Sequence, residues 1–225
     1  MPEHGAGTVI AVDGPAAAGK TTTCLALART FGLRYLESGR TYRIIAFEAL
    51  QREIPVDDAR EITWLCDRLI LESRSAGLLT SERYASDKLR ETPVNVAVSA
   101  VAKIADVRRR VTSLIRLWAE SQTQCVIEGR DIGTTIFPAA LVKFYLTASP
   151  EVRAMRRVRQ ERAGTYENVL KDVIRRDDAD MNRTVSPLVA AEDAIRIDTT
   201  NLTIEQVMSR MSTACRDRGL EVIRS

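Results

Sequence analysis

A lysine followed by a threonine, set behind a glycine-bounded turn, is the first group of residues in this chain equipped for chemistry. Gly14, Pro15, Ala16, Ala17, Ala18, Gly19, Lys20 and Thr21 fit the pattern G-x-x-x-x-G-K-[ST], and Thr22 continues into a helical stretch. Such a turn directs backbone N–H groups towards one point, and the helix N-terminus behind it adds partial positive charge. Both favour a polyphosphate. Lys20 has the reach to meet β- and γ-phosphates, and the Thr21 hydroxyl is a hard oxygen suited to Mg²⁺. The loop predicts a nucleoside triphosphate site and leaves open what is done with the triphosphate.

Three further clusters carry charge at places where a ligand crevice is expected. Glu37, Ser38, Gly39, Arg40, Thr41, Tyr42 and Arg43 begin at a strand end and run into a helix. A serine and arginines there either hold an acceptor phosphate or form a helix cap with solvated cations. Glu128, Gly129, Arg130, Asp131 and Gly133 follow another apolar run. Burying that many charged groups in a plain core turn would be costly, so this cluster is expected to meet ligand. The fourth cluster is a pair of arginine-rich helical segments. Arg153, Arg156, Arg157 and Arg159 precede Gly164, and Arg175, Arg176, Asp177, Asp178, Asp180, Asn182 and Arg183 follow it. Arg176 and Asp180 are four apart and share a helix face. The pair is either a salt-bridged surface hairpin or a mobile lid bringing cations over a transferring phosphoryl group.

The elements that must position these clusters alternate along the chain. Five short apolar runs read as buried parallel strands: Val9–Asp13, Arg34–Glu37, Cys125–Glu128, Val142–Leu146 and Ile195–Asp198. Helical patterns separate them. The predicted fold is α/β: a phosphate-loop, three-layer α/β/α arrangement around a five-stranded parallel sheet, read as a single domain over 1–225. Thr41–Leu50, Val94–Ile104, Val107–Glu120 and Ile204–Arg218 read as helices, with a joint near Asp106. Leu78–Arg90 reads as short strands or a hairpin. The stretch from about Ile54 to Pro93 interrupts the alternation and is expected to form an inserted subdomain; about 150–183 is the candidate lid.

Composition narrows the classes. The chain has 225 residues, of which 45% are hydrophobic, enough for a full core. No run approaches a membrane span, and the first residues lack the pattern of a secretory leader, so a cytoplasmic protein away from membranes is expected. Cys24, Cys66, Cys125 and Cys215 lack paired spacing and read as buried free thiols. The single histidine, His4, sits in the N-terminal tail, which excludes a histidine-based triad or zinc centre. A net charge of +3 and 5% aromatic residues argue against nucleic acid as a partner. No dimer seam is evident, and a monomer is expected.

Taken together, the segments AVDGPAAAGKTT, LESGRTYR, VSAVAKIADVRRRV, IEGRDIGTTIFPAALVKFYLTAS and RRDDADMNRTVSPLVAAEDAIRIDTTNLTIEQV resemble bacterial cytidylate kinases, from about Thr8 to Met211. The loop is shared by many families; the GRDIGT and RDDxDxNRxxxPL segments are far more specific. The resemblance implies transfer of the γ-phosphoryl group of ATP, with Mg²⁺, to CMP or dCMP. It implies Ser38, Tyr42 and Arg43 around the acceptor nucleotide, with Arg43 and Arg130 at its phosphate. Ser99, Arg108 and Asp131 match positions that read the cytosine edge. Arg176, Asp180 and Arg183 match positions that hold the sugar and reach towards phosphate. Arg153 and Arg157 match lid cations on the ATP phosphates, and the inserted segment matches the CMP-side subdomain.

The sequence departs from the family pattern at several positions. Glu37 and Glu128 stand where Asp is common, Ile115 precedes Arg116 where Gln is frequent, and the loop interior is Ala16, Ala17 and Ala18 without a third glycine. Arg40 and Thr41 replace small or apolar residues. Arg40 either points to solvent or marks a kinase of the same fold acting on a modified cytidine phosphate or another small phosphorylated acceptor.

Overall fold

Five strands form one sheet in the order β2-β3-β1-β4-β5. They are β1 (Thr8–Asp13), β2 (Arg34–Glu37), β3 (Gln124–Gly129), β4 (Val142–Thr147) and β5 (Ile195–Asp198), interleaved with eight α-helices among the described residues. The computed structural model describes residues 8–161 and 165–223. The tail with His4 and the Gly164 joint of the arginine-rich pair lie outside them. β1 pairs in parallel with β3 and β4, and β4 with β5. The β-branched run of β1 is buried on both faces, as a central parallel strand requires. Its register sets Asp13 opposite Gly129 on one side and Tyr145 on the other, so the strands end together at one edge. Ligand crevices of open parallel sheets lie at that carboxyl edge.

The chain divides into two compact units. One comprises residues 8–35 and 123–223. It holds α1 (Lys20–Phe31), α6 (Pro150–Glu161), α7 (Tyr166–Met181) and α8 (Ile204–Asp217) with most of the sheet. Its core joins Ile10, Val12, Leu27, Phe144, Ile197 and Met211. Gly32 ends α1 in the left-handed region, and Thr203 and Gln206 form a reciprocal capping box at the start of α8. A small separate core of Ala154, Val169 and Val173 joins α6 to α7.

The other unit, Leu36–Gln122, holds α2 (Gly39–Gln51), α3 (Ala59–Glu72), α4 (Thr92–Val101) and α5 (Ala105–Glu120). α2 packs on α3 and α4, and α3 packs on α5. Asp58 caps α3 by accepting from the N–H groups of Arg60 and Glu61, each at 3.0 Å. The joint between α4 and α5 spans 102–104, and Asp106 lies in the first turn of α5.

One expectation fails here. Leu78–Arg90 contains no strand; it has short 3₁₀ turns at Ser75–Leu78 and Lys88–Arg90 joined by irregular chain. Its buried residues, Leu78, Leu79, Tyr84 and Leu89, do not alternate with a period of two. The carbonyls of Ser81 and Tyr84 accept from the Arg40 guanidinium, at 3.0 and 2.6 Å, instead of from a neighbouring strand.

Candidate active site

The loop between β1 and α1 needs its two glycines for different reasons. Gly14 has φ +148°, and a Cβ there would lie 2.0 Å from the carbonyl oxygen of Leu146 in β4. Gly19 has φ +96° with open space around it, so only its backbone angle demands glycine. Between them Ala17 adopts φ +60°, a left-handed conformation that costs an alanine about 1–2 kcal/mol. The loop is tied into its unit at two carbonyls. Ala18 accepts from the Thr199 hydroxyl at 3.2 Å, and Ala16 from an Arg153 Nη at 3.3 Å.

Lys20 folds back over this loop. Its Nζ donates to the carbonyls of Gly14 and Pro15, each at 2.8 Å. Burial, with the nearby Arg130 charge, lowers its pKa to about 7, although Glu128 and Asp13 pull the other way. An anion placed against it would restore the proton. Thr21 is half-buried in the first turn of α1, and Thr22 is exposed.

Beyond β3 the chain makes a π-type turn, Ile132–Ile136, whose signature bonds run from Ile136 N–H to Asp131 O (3.1 Å) and Phe137 N–H to Ile132 O (2.7 Å). It carries Arg130 and Asp131 at its start. The Arg130 Nε donates to Asp180 Oδ2 at 2.9 Å, and Arg183 stands 3.9 Å from Asp131 and 3.8 Å from Asp180. Two segments some fifty positions apart thus assemble one cluster of alternating charge. Glu128, buried below it, accepts from the Tyr35 hydroxyl.

The arginine-rich helices are held by their own carboxylates. Arg153 is buried and forms a two-pronged pair with Asp177 of α7, while its Nε donates to Ala148 O at 2.9 Å. Asp172 gathers Arg157 (2.5 Å), Arg175 (2.6 Å) and Arg176 (3.0 Å). Burial alone would raise the Asp172 carboxyl, but these cations hold it below its ordinary value. Arg176, which shares a helix face with Asp180, therefore pairs one turn back, with Asp172.

In the other unit, Ser38, Tyr42 and Arg108 are buried, and the Arg108 guanidinium lies 5.5 Å from the Tyr42 ring centre. Arg43 donates to Leu89 O (3.0 Å) and Asn95 Oδ1 (2.6 Å). Ser99 is half-buried one helical turn beyond Asn95. Arg40 does not simply point to solvent. Besides the two carbonyls it donates to Ser86 Oγ at 3.2 Å, fastening the 81–86 turn to α2.

Sequence reasoning missed Asp13, Asn95, Asp172 and Thr199. The first two carried a signal. Asp13 closes an apolar strand directly before Gly14, and Asn95 interrupts the apolar Val94–Val101 face of α4. All four cysteines are buried and free, as expected. No helix among the described residues is long and apolar enough to cross a membrane.

A parallel sheet whose central strand runs through a glycine-bounded loop into a helix, with a buried lysine folded over that loop, defines a phosphate-loop nucleotide-binding protein. Comparison narrows the class. The family model for cytidylate kinase matches residues 10–217. A cytidylate kinase from Corynebacterium diphtheriae is 40% identical over 221 residues, covering 95% of each chain. One from Mycobacterium leprae is 39% identical over 215 residues, covering 94% of this chain and 96% of its own. This chain belongs to the cytidylate kinase family, and so to the nucleoside monophosphate kinases that use ATP. A solved structure of an uncharacterized protein from Eubacterium ventriosum, 13% identical with a TM-score of 0.53, covers 93% of this chain and 98% of its own and shares the fold.

Proposed function

We propose that the chain transfers the γ-phosphoryl group of ATP to CMP and dCMP, releasing ADP and CDP or dCDP. A phosphate oxygen of the acceptor attacks the γ-phosphorus in line, and the bond to the β–γ bridging oxygen breaks. A phosphomonoester is already anionic, so no general base is needed. Positioning and charge neutralisation supply the catalysis. The observation that carries this reading is the shared sheet edge, where the Lys20 loop follows β1 and Arg130–Asp131 follow its neighbour β3, joined there by Asp180 and Arg183 from the end of α7.

The roles follow residue by residue. Gly14 to Thr22 bind the ATP phosphates, with Lys20 on the β- and γ-groups. Arg130 and Arg43 hold the acceptor phosphate; Ser38 and Tyr42 line its site. Asp131, Ser99 and Arg108 meet the cytosine edge. Asp131 accepts from the exocyclic N4 amine, whereas a uracil O4 would face it acceptor to acceptor, at a cost of about 1–3 kcal/mol. Asp180, Arg176 and Arg183 hold the sugar, and either sugar form is accepted. Arg153 and Arg157 exchange their carboxylate partners for ATP phosphates as the segment of about 150–183 closes and excludes water. The CMP-side subdomain, about 54–93, lies within the unit Leu36–Gln122.

Mg²⁺ fits the donor chemistry at Thr21, a hydroxyl in the first turn behind the loop, with phosphate and water oxygens completing its shell. When bound it would neutralise charge on the transferring group. We take the enzyme to be a cytoplasmic monomer.

An acceptor panel of CMP, dCMP, UMP and AMP with ATP and Mg²⁺ tests the proposal. CDP and dCDP are expected, with UMP at least roughly tenfold poorer in kcat/KM, as one unpaired polar edge implies. Absence of diphosphate from both cytidine nucleotides would sink it.

A further inference from the structure

Asp13 does more than end a strand. It is the last residue of β1, immediately before Gly14, and is 4% exposed. Its two carboxylate oxygens accept from two successive peptide N–H groups across the sheet edge, Ile132 at 2.8 Å and Gly133 at 2.7 Å. These are the first residues of the turn that presents Arg130 and Asp131. A Cβ on Gly133 would lie 3.4 Å from Asp13 Oδ2 and 3.1 Å from the Lys143 side chain, so the turn sits hard against both groups. A carboxylate with both oxygens taken by adjacent amides fixes the direction of that peptide as well as its distance.

We propose that Asp13 is a positioning residue for the acceptor, aiming Arg130 and Asp131 by gripping the turn that follows them. It touches no substrate itself. The proposal rests on the acceptor roles given above to Arg130 and Asp131. It also joins the donor and acceptor halves, because the peptide linking Asp13 to Gly14 begins the phosphate loop. Burial, with the Asp131 charge adding to it, raises the Asp13 carboxyl to about 6 even though both amides and Lys20 favour its ionised form. The charged and titratable groups around it are Asp131 on the turn, Lys20 and Cys24 on α1 and Tyr145 on β4. The grip is therefore strongest above that pH.

Asp13→Asn tests the assignment. It keeps one acceptor and sets an NH₂ against the second amide, leaving that N–H without an acceptor. Loss of one charge-assisted bond predicts a roughly tenfold or greater rise in KM for CMP, with the Kd for ATP changed less than about threefold. A merely structural role would move both or neither. Unchanged KM for CMP, or equal losses for CMP and ATP, would overturn it. In the unsubstituted protein the amide proton resonances of Ile132 and Gly133 should titrate together near the carboxyl's midpoint. Should the variant not fold, these signals decide, and resonances indifferent to pH across that range overturn the grip. Absence of CDP formation by the unsubstituted protein would instead remove the acceptor reading while leaving the titration to report on the turn.

Discussion

Alanine at Gly14 and alanine at Gly19 should separate two kinds of glycine requirement within one loop. At Gly14 the added Cβ would sit 2.0 Å from Leu146 O. Close carbon–oxygen contacts fall at about 3.3–3.6 Å, so more than about 1 Å must be recovered. The obstacle is backbone in a strand that pairs with both β1 and β5, inside close-packed surroundings, and it cannot rotate away. The left-handed φ adds to this. The expected loss exceeds about 4 kcal/mol, in the range that marks a specific structural failure. At Gly19 nothing lies within 4 Å and the angle alone is strained. There the cost should be about 1–3 kcal/mol. For a chain of this size each kcal/mol lowers Tm by about 2–4 °C. Gly19→Ala should thus melt a few degrees lower and Gly14→Ala more than about 10 °C lower, if it folds. Thermal unfolding of the three proteins under one buffer measures this. Equal losses, or a Gly14→Ala protein within about 1 kcal/mol of the parent, would refute the clash as the cause.

Two further outcomes follow from particular side chains. Lys20 is held near 7 by burial, and phosphate oxygens would raise it, so above that pH ATP binding must take up a proton and its affinity should fall by up to about tenfold per pH unit. Calorimetry at about pH 8, where the nucleotide's own phosphates are ionised, in buffers of different ionisation enthalpy should report uptake approaching one proton; uptake near zero contradicts the burial argument. Arg40→Met removes the donors to Ser81 O, Tyr84 O and Ser86 Oγ and should destabilise the protein by about 1–3 kcal/mol in denaturant unfolding without altering the order of acceptors. A changed preference among CMP, dCMP and UMP would restore Arg40 to a part in acceptor choice.

What was legible in the sequence is what sequence-local physics dictates. The strand, loop and helix around Lys20 are contiguous, and the apolar runs of β1, β3 and β4 declare buried central strands. At the sheet's edges, β2 and β5 were also expected to be buried, yet β2 is partly and β5 largely exposed. The joining of Arg130–Asp131 to Asp180–Arg183 was legible only through resemblance, since no spacing rule links segments fifty positions apart. Two of the side chains hardest to read, Asp13 and Arg40, share one property: they answer backbone groups elsewhere in the chain. Asp13 answers amides about 120 positions away, and Arg40 answers carbonyls about 40 away. A peptide N–H or C=O looks the same in every sequence, so a side chain that satisfies one leaves no complementary residue type to read. That is why Arg40, judged by type, looked like a cation added to an acceptor site, and why Leu78–Arg90 looked like a hairpin whose carbonyls needed a strand.

Ala17 carries the same reasoning into the loop itself. By composition the Ala16–Ala18 interior looked like a missing glycine. The structure places the demand for a left-handed residue at Ala17 alone, where alanine bears about 1–2 kcal/mol of strain. An alanine in place of glycine also removes unfolded-state freedom worth about 0.4–1 kcal/mol, so much of that strain is offset. What remains is a loop with fewer alternative shapes. Its outer glycines are fixed by contact at Gly14 and by angle at Gly19, and its carbonyls at Ala16 and Ala18 are held by Arg153 and Thr199. A site whose backbone amides must already face the phosphates gains from that restriction, because the ordering is done on folding and not on binding.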